Sequence, residues 1–314
     1  MNFGKIVKKE ILDKPPKDRC CKKAFLAGIF RGAGKLYDID GQIILEVGVV
    51  GEQAETLVRT ILFSLYGYEV RTFKTRTATA SDEPKTVLTL DGDSVYEILI
   101  DLEVFKDEDG ELSVNGAGYG NLTKKPCCLR SFIRGLFLAG GSCTAPSEKN
   151  SKNTRYHLEL NFSSSEMAEK TARALFENGV SVRIMRRKSN FVVYIKSVEE
   201  INNFFAFISA PVSVLKLTEL QAINEFKNNA NRQTNCEIAN IDRQMVASEK
   251  YIRAIKKIDE NEGIESLKKD LRETAKLKLA HPEYTLVELA EKLGESKSCI
   301  NHRLRKLAEI ADRI

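Results

Sequence analysis

Apolar side chains recur along the chain with two periods, and the switching between them sketches its elements. Phe3, Ile6, Val7, Ile11 and Leu12 fall three and four apart in a lysine-rich opening segment stopped by Pro15-Pro16, which predicts an amphipathic helix. The segment has no apolar central run and no small-residue cleavage site, so it does not read as a signal peptide. Helical spacing over residues 20–31, 52–66 and 93–104 then alternates with β-branched and aromatic alternation over 43–50, 69–76 and 86–91. The same series returns over 127–138, 156–162, 165–178, 181–187, 191–196 and 198–208.

The second series repeats the first in residues as well as in pattern. Cys20-Cys21 with Phe25, Gly28 and Phe30 reappears as Cys127-Cys128 with Phe132, Gly135 and Phe137, an offset of 107 (Cys20 to Cys127). In each copy a helix leads into a glycine-rich turn, then a strand, a helix, two strands and a helix. That order predicts an antiparallel sheet with helices on one face, an α+β fold. Glycine costs a helix interior about 1 kcal/mol against alanine. Gly28 and Gly32, and likewise Gly135 and Ala139, are four apart and make a stripe of small residues on each leading helix. Such stripes let two backbones approach closely, so the duplicated helices are expected to pack on one another about a pseudo-two-fold axis.

Beyond residue 212 the strand signal stops. Residues 213–260 read as helix interrupted by an asparagine-rich stretch (Asn228, Asn229, Asn231, Asn235), a connector. Three helices follow, over 264–279, 285–293 and 296–310. Thr285-Leu-Val-Glu288 is a capping box opening the second, and Gly294 supplies the left-handed residue that closes it. Ala290, Gly294 and Ile300 have helix-turn-helix spacing: a small residue at the crossing, a turn glycine and an apolar anchor. Glu295 stands where an apolar residue is more usual, which implies either a solvent-directed side chain or a looser turn. At 100° per residue, Ile300, Leu304 and Leu307 share one side of the last helix, and Ser298, Asn301, His302 and Arg305 the other, with Lys297, Arg303 and Lys306 flanking.

Charge sharpens this picture. The net charge of +5 is mild, but residues 1–124 carry −3, residues 125–211 +6 and residues 212–314 +2. No run approaches the ~20 apolar residues of a membrane helix. The seven cysteines include no C-x-x-C, and His157, His281 and His302 are scattered. The expectation is therefore reduced thiols in a cytoplasmic protein, with no metal site and no cofactor.

Leu26-Ala-Gly-Ile-Phe-Arg-Gly-Ala-Gly34 and Ile133-Arg-Gly-Leu-Phe-Leu-Ala-Gly-Gly141 resemble the two motifs of the LAGLIDADG homing endonucleases. The resemblance implies a pseudo-two-fold saddle of two αββαββα halves, with the motif helices central and the sheets lying across the DNA major groove. In those nucleases the eighth motif position is a carboxylate, as Mg²⁺-dependent phosphodiester hydrolysis requires. Here those positions are Ala33 and Gly140. Asp38 and Asp40 follow the first motif, and nothing acidic follows the second until Glu148, so a symmetric metal site is lost. With its tail, the chain resembles over nearly its whole length the WhiA family of bacterial regulators, which join a degenerate LAGLIDADG domain to a C-terminal helix-turn-helix. The most specific stretches are the second motif helix, Asn231-Arg-Gln-Thr-Asn-Cys236 and Ser296–Lys306. That resemblance implies a DNA-binding protein of sporulation, cell division or chromosome segregation.

The expected organisation is two LAGLIDADG-like halves (1–115 and 116–212), a helical linker (213–260) and a helix-turn-helix domain (261–314). The expected function is that of a non-catalytic, nucleoid-associated transcriptional regulator. It would bind double-stranded DNA through Lys297, Ser298, Asn301, His302, Arg303, Arg305 and Lys306, with secondary contacts from Lys74, Arg76, Arg186 and Lys188 on the saddle. Arg and Asn suit guanine and adenine edges, and flanking Lys and Arg suit phosphates. Acidic residues from Asp101 to Glu111 would repel DNA from the first half. Two alternatives stand beside this reading: an adaptor whose saddle recruits another regulator or RNA polymerase, and a homing-type endonuclease.

Overall fold

The duplicated glycine-bearing segments form α2 (Arg19–Ala33) and α5 (Pro126–Gly140), and these two helices lie against each other. A Cβ placed on Gly28 would sit 2.1 Å from the Phe132 carbonyl oxygen, and one on Gly135 2.1 Å from the Phe25 carbonyl oxygen. The contact is self-complementary, because Phe25 and Gly28 are the counterparts of Phe132 and Gly135. The propensity cost of the glycines is offset by a backbone approach that no other residue permits.

A computed structural model describes residues 2–75, 85–108, 111–115, 120–146 and 155–314. By its internal contacts the chain divides into two units, Met1–Glu225 and Phe226–Ile314.

The first unit opens with α1 (Gly4–Asp13), which buries Val7 and Ile11 and is preceded by the buried Phe3, stacked on Phe205 with ring centroids 5.7 Å apart. After α2 come β1 (Gly34–Ile39), β2 (Gln42–Val50), α3 (Glu52–Tyr66), β3 (Arg71–Thr75), β4 (Lys85–Leu90) and α4 (Ser94–Asp101). A hairpin, β5 (Phe105–Glu108) with β6 (Glu111–Val114), precedes α5. The second half repeats the plan with β7 (Ser142–Thr144), β8 (His157–Phe162), α6 (Ser165–Glu177), β9 (Arg183–Arg187), β10 (Asn190–Ile195) and α7 (Val198–Phe207). The sheets run β1-β2-β4-β3 and β7-β8-β10-β9, antiparallel throughout, so each half is αββαββα with the same strand order.

The glycine-rich turns expected after each leading helix are in fact strands. Gly34 and Gly141 end their helices in extended backbone and pass directly into β1 and β7. β1 is an edge strand with five of its residues polar, glycine or exposed, and β7 has only three residues, so neither shows a pattern in sequence.

In α8 (Pro211–Asn261, 51 residues) the expected interruption at the asparagines does not occur. Each asparagine costs well under 1 kcal/mol in a helix, and neighbouring polar residues pair along the axis, as in Gln233 with Glu237 at 3.1 Å. The first turn of α8 is held by Glu10. Its carboxylate accepts from the Val212 and Ser213 backbone N–H groups at 2.9 and 2.8 Å and from the Ser213 hydroxyl at 2.7 Å. A buried carboxylate from α1 thus satisfies the free donors and positive end of another helix.

The boundary between the units falls within α8. The second unit continues with a 3₁₀ turn (Ile264–Ser266), α9 (Lys269–Ala280), α10 (Leu286–Leu293) and α11 (Lys297–Ala311) around a separate core of Ile255, Ile258, Ala275, Leu289, Ile300, Leu304 and Leu307.

Candidate nucleic-acid interface

The turn between α10 and α11 is built by local chemistry. The Thr285 hydroxyl accepts from the Glu288 N–H at 3.3 Å, and the Glu288 carboxylate accepts from the Thr285 N–H at 2.7 Å, so both halves of the capping box are present. These bonds hold the Glu288 carboxyl below the usual carboxylate range. Gly294 adopts φ +66°, which a side chain would strain. The next N–H, of Glu295, reaches back to the Ala290 carbonyl at 2.9 Å. Ser296 then caps α11 by accepting from the Cys299 N–H at 3.1 Å. The α9–α10 connection is fixed by Lys278, a buried lysine whose ammonium donates to the Pro282 and Tyr284 carbonyls at 2.8 and 2.7 Å. Burial lowers its pKa.

Ile300, Leu304 and Leu307 are buried, and the opposite face of α11 is polar and cationic. Lys297, Ser298, His302, Arg305 and Lys306 are exposed, Asn301 is half-buried, and no carboxylate stands between Ser296 and Lys306. Arg303 departs from its expected place in the DNA-binding set. Its guanidinium lies 2.5 Å from the Glu295 carboxylate and is mostly covered. The turn at Glu295 is therefore closed, not loose, and the glutamate points at Arg303 rather than into open solvent. The pairing holds Glu295 below the usual carboxylate range; for Arg303 burial acts downward, but Glu295 outweighs it and the pKa is raised. Arg303 fixes the turn instead of projecting a free charge. Lys306 is within 3.5 Å of Glu309, one turn on at the surface.

In the first unit, strand register decides which side chains leave the helix-covered face. Leu45, Val47, Leu88, Leu160 and Val193 are buried against the helices. Lys74 pairs in register with Thr86, two residues from Leu88, and Arg186 with Phe191, two from Val193. Both therefore lie on the helix side. Lys188 is not on a strand at all: it sits in the β9–β10 turn with φ +57°. Arg76 lies outside the described residues. The open face is supplied instead by the neighbouring residues. In the second half these are Arg183 and Arg187 with Tyr194, His157 and Asn161; Lys196, just past β10, lies 5.2 Å over the Tyr194 ring. Glu159 is the acid among them, 3.1 Å from His157 and 3.3 Å from Arg187. Burial pushes Glu159 upward, but His157 and Arg187 prevail and hold it low. In the first half the same face carries Tyr37, Ile39, Phe73 and Val87, with Lys35 facing Glu46 in register and Arg71 paired with Asp91. Tyr37, Ile39 and Phe73 are 41, 54 and 48 % exposed; in the second half Met185, the counterpart of Phe73, is 41 % exposed between Arg183 and Arg187.

At the C-terminal ends of α2 and α5, where the nuclease carboxylates would stand, a Cβ on Gly140 would lie 3.0 Å from the Gly32 carbonyl oxygen. Ala33 and Gly140 offer no ligand. Among the described residues, the side chains grouped closely enough to share an ion are at the other ends of these helices: Cys20, Cys21, Cys127 and Cys128, with all four Sγ atoms within 4.8 Å of one another. Spacing alone hides this set, since each pair is vicinal and the pairs are 107 residues apart. The repeat offset, combined with a central axis, is the signal that finds it.

A family model of the WhiA LAGLIDADG-like domain matches residues 22–102 and 129–227, and one of the WhiA C-terminal helix-turn-helix domain matches 230–311. The chain is 32% identical over 317 residues to the probable cell division protein WhiA of Brevibacillus brevis, covering 100% of this chain and 98% of the relative. It is 33% identical over 318 residues to that of Bacillus subtilis strain 168, covering 100% and 97%. The chain belongs to the WhiA family. Among solved structures, full-length DUF199/WhiA from Thermatoga maritima shares its fold, with TM-score 0.57 and 23% identity over 100% of this chain and 99% of that one. The WhiA architecture accounts for both observed units, a degenerate LAGLIDADG saddle and a helix-turn-helix. Among the described residues no helix is long and apolar enough to cross a membrane.

Proposed function

We propose that this WhiA-family chain is a non-catalytic transcriptional regulator that binds duplex DNA through α11 and acts in cell division, sporulation or chromosome segregation at the nucleoid. The observation that carries the reading is the exposed, acid-free face of α11, mounted on a turn fixed by a capping box, a left-handed glycine and the Glu295–Arg303 pair. Asn301 and Arg305 take the base-edge roles, with Ser298 and His302 beside them, and Lys297 and Lys306 lie on phosphates. The reading domain is taken as residues 261–314, with 213–260 its connector and 1–115 and 116–212 the two saddle halves. Arg183 and Arg187 add salt-sensitive contact from the saddle.

The test is duplex binding with and without Mg²⁺. Sequence-specific binding should survive chelation and be lost when Asn301→Ala is combined with Arg305→Ala. Undiminished binding by that double variant sinks the assignment of the reading helix. Genome-wide crosslinking of the intact chain beside one ending at Asp259 would then show which part selects sites.

A second reading is favoured by the apolar open face of the first half. Tyr37, Ile39 and Phe73 suit a protein partner, such as another regulator or RNA polymerase, better than a phosphate backbone. A pull-down that loses its partner on Phe73→Ser with Ile39→Ser, while DNA binding is unchanged, supports it.

A further inference from the structure

We propose that Cys20, Cys21, Cys127 and Cys128 form a four-thiolate site for a single soft, tetrahedral divalent ion of the zinc class, placed between the N-terminal ends of the two motif helices. Each half of the repeat supplies one vicinal pair, as the second and third residues of α2 and of α5. Cys127 lies beside Cys21 and Cys128 beside Cys20 across the axis, and the two inter-helix pairs are pseudo-symmetric copies of each other.

The spacing fits one ion. Zinc–sulfur bonds of about 2.3 Å in a tetrahedron set the sulfurs about 3.8 Å apart. The Cys127 and Cys128 sulfurs are already 3.9 Å apart, and no pair of the four exceeds 4.8 Å. Closing the site takes side-chain adjustments of about an ångström or less. A multi-iron cluster must place its own irons and sulfides between the thiolates, and these sulfurs are too close together for that.

The electrostatics also fit. Four thiolates on a divalent ion leave two negative charges. Two helix N-termini point at them, and neither first turn contains an acidic residue. Burial is graded as ion entry requires: Cys21 and Cys128 are buried, Cys20 is half-buried and Cys127 is exposed. Ser131, buried on α5, neighbours Cys21 from outside the quartet, the kind of residue that orients a ligand.

The experiment uses the full chain, reduced and stripped of metal, titrated with Co²⁺ and then Zn²⁺. The expected result is one Co²⁺ per chain with the visible bands of a tetrahedral four-thiolate complex, bleached by one equivalent of Zn²⁺. Zinc should also shield Cys20, Cys21, Cys127 and Cys128 from alkylation while leaving Cys236 and Cys299 reactive. Cys20→Ser with Cys127→Ser should abolish the bands with the circular dichroism of the chain retained; should that variant misfold, the alkylation pattern of the unaltered chain decides. No stoichiometric uptake, bands that survive the double substitution, or isolation of Cys20–Cys128 and Cys21–Cys127 disulfides in place of metal binding would each overturn the proposal.

Discussion

The two halves of the saddle share one strand order and one helix order, yet they present different chemistry on their open sheets. The first half shows Tyr37, Ile39 and Phe73, with its Arg71 tied to Asp91. The second shows Arg183, Arg187 and Lys196 beside Met185 and the carboxylate Glu159. Where the halves touch, the reverse holds. A Cβ on Gly28 or on Gly135 would lie the same 2.1 Å from a carbonyl oxygen of the partner helix, and the cysteine pairs match position for position. Contact across the axis constrains both copies at once, because a side chain added to either helix collides with the other. The open faces lie on the side of each sheet away from the helices, so each is free to change its polarity alone.

The largest effect that would break this comparison lies at the axis. Gly28→Ala and Gly135→Ala each force a Cβ into a backbone carbonyl. Each should destabilise by about 3 kcal/mol or more, at the upper end of core overpacking, and by nearly equal amounts in denaturant unfolding. Markedly unequal losses would contradict the symmetric contact. Gly32→Ala, which meets the Ala139 Cβ at 3.0 Å, should cost less, about 1 kcal/mol. Glu10→Ala separates the halves differently, since its carboxylate caps α8 from the first half's own leading segment. Losing charge-assisted bonds to buried donors should cost about 2 kcal/mol, measured by the same unfolding.

A smaller effect sharpens the contrast between the faces. Arg183→Ala with Arg187→Ala should reduce the salt dependence of DNA binding by up to about two phosphate contacts, whereas Phe73→Ser should leave it unchanged. An equal salt response in both would remove the functional difference. The smallest effect concerns pH. Asp101 in the first half and Glu159 in the second both titrate low. Burial opposes this in each, but Lys23 and Tyr66 at 2.6 and 2.7 Å outweigh it at Asp101. A carboxyl depressed in the folded state contributes stability above its unfolded value, and that contribution is lost as pH falls through the folded value. Unfolding free energy should therefore drop below the ordinary carboxylate range, and Asp101→Asn should flatten that drop slightly, since the group is partly exposed and screened.

Much of this was legible in the residues. Long amphipathic helices, the central strands β2, β4, β8 and β10, the capping box and the glycine stripes carry local signatures, and the repeat joined them into a symmetric plan. The edge strands β1 and β7 carry no pattern because β1 is largely exposed and β7 has only three residues. The β5–β6 hairpin is masked by its charges. On β3 and β9, alternation puts Thr72 with Lys74 and Ile184 with Arg186, but period alone does not say which group faces the helices. Register against Leu88 and Val193 decides that. Arg303 looked like a reader because only three dimensions bring Glu295, eight residues earlier, onto its guanidinium. The cysteine quartet escaped for the same reason, with ligands drawn from two distant helices.

The clasp of Glu10 on Val212 and Ser213 spans 202 and 203 residues of chain. During synthesis the opening helix leaves the ribosome long before the segment whose amides it must accept. Its carboxylate cannot take up these partners until both halves of the saddle have been made. The first unit is thus closed by its own two ends, and a chain truncated just before Pro211 would hold every strand of both sheets yet lack the latch that seals them.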